Sequence, residues 1–61
     1  MKPKVGDLLC DKEFPNDLGL LVKIGDLRTC EPYYVLDPHG KIVSFPRKYI
    51  ENDCDVVSAS R

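Results

Sequence analysis

The sequence has no tryptophan, a single histidine, and no apolar run near the ~18 residues that a bilayer-spanning helix needs. Each absence removes a class of function. The missing run argues against a membrane protein. The basic start Met1-Lys2-Pro3-Lys4 is not followed by the apolar region of a secretory signal, because Asp11-Lys12-Glu13 closes off Leu8-Leu9-Cys10 at once. The expected location is therefore the cytoplasm, or a particle assembled there. With one histidine, catalysis has few parts to work with, since a nucleophile needs a base and an orienting group nearby. His39 falls in a tight turn, and Cys30, the thiol that could pair with it, lies up to ~30 Å away along an extended chain. No enzyme is expected, and no cofactor. The three cysteines Cys10, Cys30 and Cys54 lack the paired C-x2-4-C spacing of structural zinc sites, so with His39 they make a poor metal set. An odd number in a reducing compartment points to free thiols in the core and not to a disulfide framework. There is no basic excess either. A net charge of -1 and a pI near 5.6 weigh against general nucleic-acid binding. The acidic run, paired aromatics and tryptophan of a polyproline reader are missing too.

What the chain does contain is frequent punctuation. Gly6-Asp7, Pro15-Asn16-Asp17, Gly25-Asp26, Asp37-Pro38-His39-Gly40, Pro46 and Asn52-Asp53 leave no stretch for a helix of ordinary length. At 61 residues, 43% apolar and 31% charged, the chain suits one small globular domain with an ordered part of about 4–57 and a frayed tail 58–61. Between the turns the residues read as short strands. Val5 to Lys12 is the first. Leu20, Val22 and Ile24 alternate with Leu21 and Lys23 in the second. Tyr33-Tyr34-Val35-Leu36 has strong strand preference, and Asp37-Pro38-His39-Gly40 reverses it into Lys41 to Phe45, with Gly40 free to take a positive φ. Pro46 to Ile50 predicts one turn of 3₁₀ helix, and Cys54 to Ser58 a closing strand. The fold class is all-β, a small five-stranded barrel. The expected core is Val5, Leu8, Cys10, Leu20, Val22, Ile24, Val35, Leu36, Val43, Ile50 and Val56.

The order of these pieces carries a resemblance. Val5-Gly6-Asp7-Leu8, a polar loop, Gly19 to Ile24, Tyr33-x-Val35-Leu36, a turn ending in Gly40, and the basic turn Pro46-Arg47-Lys48-Tyr49-Ile50-Glu51 follow one another before the last strand. From Val5 to Val57 the chain resembles the small SH3-like barrels, related in outline to KOW and Tudor modules, that tailed bacteriophages encode. Asp37-Pro38-His39-Gly40 stands where many of them carry Trp and then Asp-Gly. The resemblance implies an SH3-like barrel and a protein-interaction or structural role, such as a virion decoration, connector or adaptor component. The alternatives are a small regulator of a host enzyme or of the transcription machinery, and a KOW-type nucleic-acid-binding barrel. The expected partner is a viral structural or host protein, with self-association compatible with either protein-docking role.

Grooves on such barrels are lined by aromatics of the first long loop and of the single helical turn. Phe14 and Tyr49 occupy those places, and with Tyr34 they form the expected groove. Lys41, Arg47 and Lys48 cluster in sequence around the last hairpin and turn, where they could hold phosphates while Tyr49 stacks on a base. Glu31, Asp37, Glu51, Asp53 and Asp55 in neighbouring segments favour a mixed solvated surface instead.

Overall fold

The structure, a computed structural model, describes residues 3–14 and 16–58. Five strands are present: β1 (Leu8–Asp11), β2 (Leu18–Ile24), β3 (Tyr33–Leu36), β4 (Ile42–Phe45) and β5 (Cys54–Ser58). They form one sheet in the order β4-β3-β2-β1-β5, and every neighbouring pair is antiparallel. The first four strands make a meander, and β5 returns beside β1. The fold is all-β, as expected. Of the frayed tail predicted over 58–61, Ser58 ends β5, and 59–61 lie outside the described residues.

The hairpin between β3 and β4 forms as its residues predict. The Asp37 carboxylate accepts hydrogen bonds from the amides of His39 and Lys41, both at 2.9 Å, and Gly40 sits at φ +86°. An added Cβ at Gly40 meets no atom within 4 Å, so a substitution there is opposed by backbone conformation alone. Gly40→Ala is expected to lower stability by about 1 kcal/mol in urea unfolding, with the denaturant slope unchanged.

Two expectations are corrected. The first strand starts at Leu8, not Val5. A turn closed by the Asp7 amide donating to the Lys4 carbonyl at 2.9 Å precedes it, and Val5 is 58% exposed in that turn. The single helical turn before β5 is π-helical and spans Tyr49–Asp53, instead of a 3₁₀ turn from Pro46 to Ile50. Three consecutive side chains are anchored there, which the wider turn accommodates. Tyr49 stacks on Phe45 with ring centroids 5.1 Å apart, Ile50 is buried, and Glu51 accepts from the Tyr33 hydroxyl at 3.0 Å and from Arg47 Nε at 3.1 Å.

The largest correction concerns the core. The buried apolar side chains are Leu9, Leu21, Tyr33, Val35, Ile50 and Cys54, with Ile24, Phe45, Tyr49 and Val56 packed partly against them. Val35 and Ile50 are in the core as expected, and Ile24 and Val56 contribute to it. Leu8, Cys10, Leu20, Val22 and Leu36 are not buried, and Val43 is exposed. On β1 and β2 the expected inward set is out of phase by one residue, which turns a side chain to the other face. A bulge at Val22 then restores the phase. Leu21 pairs with Val35 but Lys23 pairs with Tyr34, so Leu21 and Ile24 both reach the core across three residues.

Candidate interaction surface

Leu8 on β1 pairs with Leu20 on β2, Leu20 pairs with Leu36 on β3, and Leu36 pairs with Ile42 on β4. Residues directly opposite in antiparallel strands project from the same face. These four aliphatic side chains therefore form a row across four strands, on the face turned away from Leu9, Leu21 and Val35. Leu20 is 37% exposed and Ile42 62%. Leu18, two residues before Leu20, extends the row lengthwise. Together with Pro38 these leucines line a shallow groove of about 380 Å³. Both faces of this sheet carry apolar side chains, and the buried cluster of Leu9, Leu21 and Val35 lies on one of them, while Leu8 and Leu36 on the other are half-buried.

No protein-family model, curated protein or solved structure matches this chain. The surface must be read from its own chemistry.

The structure distributes the expected contact residues over two places. Tyr34 alternates with the buried Tyr33 and Val35 and so lies on the outer face, in the same strand as Leu36. Lys23 Nζ sits 5.5 Å from its ring centroid, a cation–π distance. Lys41 is exposed immediately before Ile42, at the edge of the apolar row. Phe14, 64% exposed, and Tyr49 belong to the other side of the molecule, around the Asp11 carboxylate. That carboxylate accepts from the Tyr49 hydroxyl at 2.6 Å and from the amides of Glu13 at 2.7 Å and Phe14 at 3.3 Å. Arg47 is occupied by Glu51, and Lys48, at the N-cap of the helical turn, is exposed. Tyr34 and Tyr49 therefore do not share one surface.

Asp11 acts as a clasp between the first loop and the helical turn, and it sets the pH dependence. The Tyr49 hydroxyl bond, followed by the Glu13 amide, holds its carboxyl below the ordinary 3.8. Asp26, beside Arg28, and Asp37, in its turn, are also held low. A lowered carboxyl contributes stability above its unfolded value and loses it as pH falls through the folded one. Burial, and next the bond to Asp11, push the Tyr49 hydroxyl well above its ordinary 10.0. A raised group contributes stability below its unfolded value and loses it at higher pH. The thermal midpoint is thus expected to hold between about pH 5 and pH 9, fall below about pH 4, and fall again above about pH 10. Asp11→Asn shrinks the acid limb, and Tyr49→Phe shrinks the alkaline limb and, by removing the bond that lowers Asp11, part of the acid limb as well, all readable by circular dichroism melts across pH.

The thiols separate. Cys54 is buried, where desolvation raises its pKa and keeps it a poor nucleophile. Cys10 is half-buried and Cys30 exposed. Cys30 and His39 sit on loops at opposite ends of β3. Among the described residues no three His, Cys, Asp or Glu side chains are grouped to hold a metal ion.

Leu8, Leu20 and Leu36, expected in the core, lie on the opposite face, with Leu20 exposed and Leu8 and Leu36 half-buried. The available signal was the doublet. Leu8-Leu9, Leu20-Leu21, Val35-Leu36 and Ile42-Val43 put an apolar residue on both faces of four strands.

Proposed function

We propose that this protein is a small non-enzymatic interaction and structural module with an SH3-like barrel fold, of the kind tailed bacteriophages encode as virion decoration, connector or adaptor components. The observation that carries the reading is the apolar row Leu8, Leu20, Leu36 and Ile42 on the sheet face opposite the core, with Leu20 and Ile42 exposed and Leu8 and Leu36 half-buried among the described residues. Contiguous exposed apolar surface on a small domain marks a protein-docking site, since leaving it in water is unfavourable by roughly 25 cal/mol per Å². Tyr34 beside the row adds an aromatic suited to contact, and Lys23 and Lys41 supply a polar rim. The barrel assignment is supported by the meander followed by a short helical turn and a last strand returning to the first, the order the sequence resemblance implies.

The test compares capture by wild-type protein and by Leu20→Lys from nuclease-treated lysate of the cells that express it. Leu20 is exposed, so the variant keeps its fold, checked by circular dichroism. The expected result is a stoichiometric protein that survives nuclease and is lost with Leu20→Lys. Capture that vanishes with nuclease, or that Leu20→Lys leaves unchanged, overturns the reading.

A further inference from the structure

The sheet ends in two strands, β4 and β5, that have no strand beyond them among the described residues. Such edges present unpaired backbone amides and carbonyls, which another extended strand can satisfy. Natural edges are usually blunted, yet β4 exposes Ile42 on the outer face and Val43 on the inner one. The charges flanking the two edges are opposite. Lys41 precedes β4 and Lys48 follows it, while Arg47 between them is paired with Glu51. Asp53 precedes β5, and Asp55 lies within it. The acidic groups that face β4 are already engaged: Glu31 accepts from the Ser44 hydroxyl at 2.8 Å, and Asp37 accepts from its own turn amides.

We propose that the protein self-associates head to tail, with the β4 edge of one copy adding to the β5 edge of the next. A two-fold pairing is disfavoured by charge. Antiparallel β4 against β4 brings Lys41 of one copy toward Lys48 of the other, and β5 against β5 brings aspartates together. Like charges placed across an interface select against it, and the opposite edge is the complementary surface. Four antiparallel steps separate β4 from β5, so the two run in the same direction. Copies that keep the same face outward therefore join through a parallel strand pair and present one continuous apolar outer face. The regular part of β5, Cys54 to Val56, is the segment available, because Val57 is the extra residue of a bulge against β1. Two strands this short bury less than the roughly 800 Å² per partner of a stable pairwise interface. A single contact is weak, and closure of the head-to-tail repeat into a ring is what makes it persist.

The experiment is analytical ultracentrifugation of wild-type protein over a range of concentration at low and high salt. Two charge-reversed variants are run beside it, Lys41→Glu with Lys48→Glu, and Asp53→Lys with Asp55→Lys. Wild-type mass is expected to rise above the 6.9 kDa of one chain with concentration and to fall back in high salt. Each variant alone has two edges of one sign and stays monomeric. An equimolar mixture regains association, because the altered, acidic β4 edge of the first variant complements the altered, basic β5 edge of the second, and their unaltered edges complement each other. The single changes Lys41→Glu and Asp55→Lys serve where a double variant loses its fold by circular dichroism. Leu20→Lys, on the sheet face, leaves self-association unchanged, which separates this proposal from the docking role of the groove. A wild-type protein that stays monomeric throughout, variants that associate as well as wild type, or a mixture that stays monomeric would each overturn it.

Discussion

Replacing Leu21 by alanine is expected to cost about 2–5 kcal/mol of stability, whereas the same change at its neighbour Leu20 costs well under ~1 kcal/mol. Leu21 has no exposed surface and lies among Leu9, Val35 and Tyr33 in the core. Truncation removes its burial and leaves a cavity that rigid strands on either side cannot collapse to fill. A domain of 61 residues has on the order of 3–9 kcal/mol in total, so Leu21→Ala removes a large share of it or all. Leu20 points to the outer face, where its methyl groups already meet water. Urea unfolding of the two variants reads the difference directly. Equal losses, or a larger loss at Leu20, would show that the faces of β2 are assigned the wrong way round.

Gly19→Ala produces the second large effect, from crowding instead of a void. A Cβ at Gly19 would overlap the Cγ1 of Val35 and come 3.5 Å from the Leu36 carbonyl oxygen. The Leu36 oxygen is backbone and Val35 is a buried, β-branched core side chain, so neither moves freely. Overpacking of this kind costs typically 1–3 kcal/mol. The source of the cost is identifiable by coupling. Val35→Ala destabilises on its own by opening a cavity, but in that background Gly19→Ala is expected to lose most of its penalty. A coupling of about 1 kcal/mol or more in the double-mutant cycle supports the contact, and simple additivity contradicts it.

The β3–β4 hairpin and the bounds of β3 and β5 were legible because local chemistry decides them. Asp37 and Gly40 specify their hairpin within five residues, and β3 and β5 begin and end where the sequence places them. The phase of β1 and β2 was not legible, and the cause is physical. A period-two pattern identifies the buried face only when the other face is polar. At Leu8-Leu9 and Leu20-Leu21 both phases are apolar, so alternation carries no preference. The bulge at Val22 then breaks the period itself. What decides the matter is tertiary: Gly19 lets Val35 approach β2 on the inner face, and Ile50 from the helical turn closes over the same side. The Asp11–Tyr49 bond joins residues far apart in sequence and was equally hidden. The groove is hidden in the sequence for the related reason that aromatics are the usual contact signal, while this groove is lined by aliphatic side chains.

Site-specific photo-crosslinking in the expressing cells tests most directly whether the outer face docks a protein. A photoreactive residue is placed at Leu20 or Leu36, on the apolar row, and in a control at Lys12, which is exposed outside the groove. One dominant protein adduct is expected, shared by positions 20 and 36 and absent from position 12. No adduct at either, an adduct of equal yield at position 12, or adducts to nucleic acid would contradict it.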